Sequence, residues 1–100
     1  MKTIAVDFDH TLCSHTPEPG HKLGPPIEGA REALMLLKNS GYNIIIYSCN
    51  RPEVIANWMA YFNVPYSTVW QHPKPKADHY VDDRGIPFRG SWEEVLAEIL

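Results

Sequence analysis

Apolar positions along this chain switch between two spacings. Residues 3–8, Thr-Ile-Ala-Val-Asp-Phe, form a short apolar run typical of a buried strand. From about Ile27 the spacing lengthens. Ile27, Ala30, Leu34 and Leu37 recur at three- and four-residue steps until Gly41, which predicts a helix. Residues 42–48 are a continuous isoleucine-rich run, the type expected of a strand covered on both faces. A second helix is predicted after Asn50, a candidate cap. Pro52 suits its first turn, and Val54, Ile55, Trp58, Met59 and Phe62 share one face. Short strands follow at 67–70 and 79–83, and Ser91 with Glu94 stands at capping-box spacing before a final helix. Residues 13–26, rich in Pro and Gly, read as a long loop.

Strands alternating with helices predict an α/β fold with a parallel sheet and helices on its faces, here a three-layer Rossmann-like arrangement. One hundred residues suit one domain, residues 1–100. In such sheets the C-terminal strand ends share one edge, and ligands bind there. Asp7 and Asp9 end the first strand, Ser48 ends the second, and Asp82 with Asp83 ends the last. Residues i and i+2 of a strand point to one side, so Asp7 and Asp9 can face a common spot. Like charges so placed repel unless a cation or a shared proton makes them useful. Taken alone, the stretch Val-Asp-Phe-Asp-His-Thr-Leu at 6–12 could equally be a strand ending in solvent with turn-forming aspartates. Oxygen ligands at three strand ends on one edge favour the functional reading.

Several carboxylates converging on one point call for a hard cation, and oxygen-only ligation suits Mg²⁺. A carboxylate can attack phosphorus to give an aspartyl-phosphate, while a second one nearby protonates the leaving oxygen and later deprotonates water.

At this point the residues resemble the haloacid dehalogenase (HAD) superfamily in its phosphatase branch, across nearly the whole chain. The first motif, an apolar strand followed by DxDxT, stands as Ile4-Ala5-Val6-Asp7-Phe8-Asp9-His10-Thr11. The second is Ser48 after an apolar strand, the third a lysine within Lys74-Pro75-Lys76, and the fourth the acid pair Asp82-Asp83. The resemblance implies Asp7 as nucleophile and Asp9 as general acid/base, with the Asp9 carbonyl also on Mg²⁺. It implies Ser48 and Lys74 or Lys76 on the phosphoryl oxygens, and Asp82, supported by Asp83, completing the metal site. Thr11, Ser48, Asn50 and Arg51 are the candidate substrate contacts. His10 departs from the family, which commonly has glycine there. The expected sheet order is third, second, first, fourth strand. The possible cap insertions, residues 12–26 and 71–78, are too short for a core of their own, so an uncapped domain is expected. An open site suits a bulky phosphoester, or a small one if another copy of the chain covers it.

Composition narrows the classes further. A formal net charge of −3 and a pI near 5.9 argue against nucleic acid and anionic membrane as general partners. No apolar stretch is long enough to span a bilayer, and the N-terminus does not read as a signal peptide. Cys13 and Cys49 are the only cysteines, which fits a reducing cytoplasm with both thiols free. Cys13, His15 and His21 match no zinc-finger spacing. Trp58, Trp70 and Trp92 fall at core-facing positions. Two alternatives to a small-molecule phosphatase remain: a non-catalytic phosphate- and Mg²⁺-binding regulatory module, and a polynucleotide end phosphatase.

Overall fold

The computed structural model describes residues 2–15, 23–48, 51–70, 77–81, 86 and 88–100. Among them the chain runs β1 (Thr3–Asp7), β2 (Cys13–His15), β3 (Leu23–Pro26), α1 (Ala30–Asn39), β4 (Asn43–Tyr47), α2 (Pro52–Tyr61), β5 (Thr68–Trp70), β6 (His79–Val81) and α3 (Trp92–Ile99). Four strands form a sheet in the order β5-β4-β1-β6, with every pair parallel. This is the expected third-second-first-fourth order. The result is an α/β protein of Rossmann-like architecture with β1 and β4 at its centre.

The apolar runs explain the core. Ile4 and Val6 of β1, Ile44 and Ile46 of β4 and Val81 of β6 alternate onto one face, where they form a single buried cluster. Ala30, Ala33, Leu34 and Leu37 of α1 join it, as do Ile55, Trp58 and Met59 of α2 and Trp92 and Val95 of α3. The described helices therefore share one face of the sheet, giving two layers among the described residues where three were expected. The reason is topological: β1-α1-β4-α2-β5 steps across the sheet in one direction, and right-handed crossovers then place α1 and α2 on the same side. Ala5 and Ile45 face the other way and are also buried, outside that cluster.

Several local expectations are corrected. Residues 13–26 are not merely a loop, because β2 and β3 pair antiparallel as a separate two-stranded ribbon. Pro26 turns its missing N–H away from β2, since the Ile27 N–H next to it meets the Leu12 carbonyl, and Pro25 falls where the register shifts between the Cys13–Pro26 and His15–Leu23 pairs. Helix α1 begins at Ala30 rather than near Ile27, after Gly29 in a left-handed conformation, φ 85°. Arg51, not Asn50, is the residue at the N-cap of α2, with φ −62° and ψ 135°. Proline forces its predecessor into this extended conformation, which is also that of an N-cap. Val54 and Trp70 are 40% and 39% exposed rather than core-facing. Helix α3 begins as expected, with the Ser91 hydroxyl accepting from the Glu94 N–H at 3.5 Å.

The ribbon meets the core closely. Trp58 donates its indole N–H to the Gly24 carbonyl at 2.9 Å, and the Ser14 hydroxyl donates to the Pro25 carbonyl at 2.6 Å. A Cβ added at Gly24 would lie 2.6 Å from the Ser14 carbonyl oxygen, a backbone atom that cannot swing aside. Gly24→Ala should therefore destabilise the protein by about 1–3 kcal/mol, measured as a lower urea midpoint at unchanged slope.

Candidate functional site at the sheet edge

The site is built where β1 and β4 end. Asp7 is the last residue of β1, half-buried, and its Oδ1 accepts the Phe8 N–H at 2.9 Å. The chain then turns tightly. The Phe8 carbonyl accepts the N–H groups of Leu12 and Cys13 at 3.0 and 3.1 Å, and the Cys13 carbonyl accepts the His10 N–H at 2.9 Å. This turn carries Asp9 back over the strand ends, where its Oδ2 accepts the Ser48 hydroxyl at 3.1 Å. Ser48, 6% exposed, directly follows β4. Two of the positions singled out in the sequence, 39 residues apart, are thus joined by one hydrogen bond.

Buried groups fix the turn from below. Phe8 packs edge-on against Trp58, ring centroids 5.0 Å apart. Thr11 is 5% exposed, and its carbonyl accepts the Trp92 indole N–H at 2.9 Å. The Thr11 backbone thus helps to support the turn from beneath. His10 is the exposed residue of the turn and has φ 61°, a left-handed conformation that costs a non-glycine residue about 1–2 kcal/mol. That geometry gives a physical reason for glycine to be favoured at this position.

Arg51 is exposed at the N-terminus of α2, three residues beyond Ser48. Asn50, Lys74, Lys76, Asp82 and Asp83 lie outside the described residues, as does Cys49. Strand β6 is described through Val81, whose Cα pairs with Val6, one residue before Asp7. Among the described residues no group of three or more His, Cys, Asp or Glu side chains is placed to hold a metal ion. The acids proposed to complete such a group, Asp82 and Asp83, fall in the next two sequence positions after Val81.

Cross-strand register adds an alignment that spacing along the chain does not carry. Asp7 pairs in register with Tyr47, and Tyr47 with Trp70. Register neighbours point to the same face, so these three last residues of β1, β4 and β5 form one row across the sheet edge. Periodicity alone marked Tyr47 and Trp70 as strand residues. Only the register sets them beside Asp7.

No protein-family model matches the chain, and a search of curated proteins found no relative. Among solved structures, the chain is similar to that of a conserved protein from Bacteroides thetaiotaomicron. The two are 26% identical with a TM-score of 0.74, over 98% of this chain and 88% of the other. The likeness supports the α/β architecture described above. No described helix is long and apolar enough to cross a membrane.

Cys13, fully buried below the turn, is a free thiol whose Sγ donates to the Ser14 carbonyl at 3.1 Å. Burial pushes its pKa up from 9.0 to about 11, and the negative charge of Asp9 adds to the rise. A pKa raised in the folded state stabilises the protein below the unfolded value and loses that contribution as pH climbs through the folded value. The stability advantage of the parent over Cys13→Ala should therefore shrink between pH 9 and 11, by up to about 3 kcal/mol. Urea unfolding of both chains across that range measures the effect.

Proposed function

We propose that this protein is a Mg²⁺-dependent phosphatase of the HAD type, acting on phosphomonoesters through an aspartyl-phosphate on Asp7. The observation that carries the reading is the 3.1 Å hydrogen bond from Ser48 to Asp9, which brings a hydroxyl and a second carboxylate together just beyond Asp7. It lies at the C-terminal edge of a parallel sheet, the place where open α/β sheets bind ligands.

In this mechanism a carboxylate oxygen of Asp7 attacks phosphorus and the bond to the ester oxygen breaks. Asp9 gives its proton to the departing oxygen, so the alcohol leaves neutral. Asp9, now a carboxylate, takes a proton from water as the water attacks the aspartyl-phosphate. Phosphate departs, the Asp7 carboxylate is restored, and Asp9 is again protonated. Ser48 holds Asp9 in position before substrate binds; its single O–H turns to a phosphoryl oxygen once Asp9 is protonated and no longer needs it. Lys74 or Lys76 supplies positive charge to those oxygens. The ligand set of Asp7, the Asp9 carbonyl, Asp82 and Asp83 is oxygen only and fits Mg²⁺, which when bound offsets the charge of the phosphoryl group and the carboxylates.

The two aspartates should separate in experiment. Asp7→Asn removes the nucleophile, so turnover of p-nitrophenyl phosphate with Mg²⁺ should vanish. Asp9→Asn should slow ordinary alkyl phosphates roughly 10²- to 10⁴-fold. With p-nitrophenyl phosphate, whose leaving group needs little protonation, this variant should accumulate phosphate on Asp7, trapped by rapid acid quench. Full activity in Asp7→Asn, or trapped phosphate on another residue, overturns the assignment. Binding of phosphate and Mg²⁺ by the parent chain with no turnover of a phosphoester panel makes it the regulatory module instead. If that panel includes 3′- and 5′-phosphorylated oligonucleotides and only these turn over, the polynucleotide end phosphatase is the correct reading.

For the metal, Asp82→Asn should bind Mg²⁺ more weakly than the parent by calorimetry, and Mg²⁺ should raise the melting temperature of the parent more than that of the variant. Equal affinity removes Asp82 from the ligand set.

A further inference from the structure

The row Asp7-Tyr47-Trp70 bears on what the phosphoryl group is attached to. Asp7 ends β1, Tyr47 ends β4 and Trp70 ends β5, and the three are aligned in register on the face of the sheet opposite the helices. Adjacent strands lie about 4.8 Å apart, so the row places the Trp70 backbone about 10 Å from that of Asp7, with Tyr47 on the strand between them. Trp70 is 39% exposed, and it sits on an edge strand whose other position on that face is the exposed Thr68. Its backbone is firmly held, because the Trp70 carbonyl accepts the Ser48 N–H at 3.3 Å. The same hydrogen bond ties the Trp70 backbone to the residue whose hydroxyl meets Asp9.

We propose that Tyr47 and Trp70 form a stacking platform for a planar ring carried by the substrate, and that the substrate class is nucleoside monophosphates. The inference rests on the phosphatase reading for its reaction but on the aromatic row for its substrate. With phosphorus at Asp7, the sugar of an extended nucleotide spans the next strand and the base reaches the exposed indole. Stacking suits any base, because every base presents a π-face. The acidic net charge of −3 favours a mononucleotide over a polymer, whose further phosphates would be repelled.

The test compares adenosine 5′-monophosphate with ribose 5-phosphate, which has the same phosphoester and no base. The parent should prefer the nucleotide in kcat/KM. Trp70→Ala should cut that preference roughly 5- to 150-fold, mainly through KM, and Trp70→Phe should restore most of it. Dissociation constants of both ligands for Asp7→Asn, by calorimetry, read the same preference without turnover. If the parent hydrolyses both compounds equally well and Trp70→Ala leaves the ratio unchanged, the platform is wrong and the phosphatase reading stands. If no phosphoester is hydrolysed, that reading fails, and the binding constants still decide the platform. Equal affinity of Asp7→Asn for the two ligands overturns it, and a preference lost in Asp7→Asn/Trp70→Ala supports it.

Discussion

The parallel pairing of β1 with strands on both sides is the constraint on which the rest of the structure depends. β1 is hydrogen-bonded to β4 over Thr3–Asp7 and to β6 over Ile4–Val6. Its middle residues Ile4, Ala5 and Val6 have no exposure on either face. A strand so enclosed cannot slip by one residue without sending its isoleucine and valine to the wrong face. Fixing β1 therefore fixes where Asp7 emerges, and with it the position of the turn that follows.

That turn is held by buried groups remote in sequence. The Trp92 indole, 81 residues from Thr11, satisfies the Thr11 carbonyl, and the Trp58 indole satisfies the carbonyl of Gly24 in the neighbouring ribbon. Each bond pairs a buried carbonyl that would otherwise cost about 1–3 kcal/mol. The two indoles clamp the turn and the ribbon onto one core. The hydrogen bond between Ser48 and Asp9 then forms between groups whose backbones are already positioned, so little conformational entropy is lost in making it. On the proposed reading this preorganisation is what an acid/base residue requires, since its reach to the leaving oxygen is set before substrate arrives.

The two faces of the sheet have separate uses. Even-numbered positions of β1 and β4 build the helix-covered core. The odd-numbered positions end in Asp7 and Tyr47, aligned with Trp70 of β5. The same alternation that buries the isoleucines therefore delivers a carboxylate and two aromatic rings to the other side of the sheet edge.

What the sequence determined by itself was local. Apolar runs and three- to four-residue spacing marked the strands and helices, because burial on one face leaves a period that neighbouring residues alone can show. Strand ends carrying acids pointed to one edge, and the alternation of elements implied a parallel sheet. The tertiary structure decided what depends on distant partners. Arg51 occupies the N-cap of α2, the Pro-rich stretch pairs as a ribbon, and all the described helices share one face. The Thr11 carbonyl is met by Trp92, and Trp70 is left partly exposed at the end of the row that begins at Asp7. A residue's own neighbours carry no record of cross-strand register or of a hydrogen bond made 81 residues away. These follow only when the whole core closes and each buried polar group must find its partner.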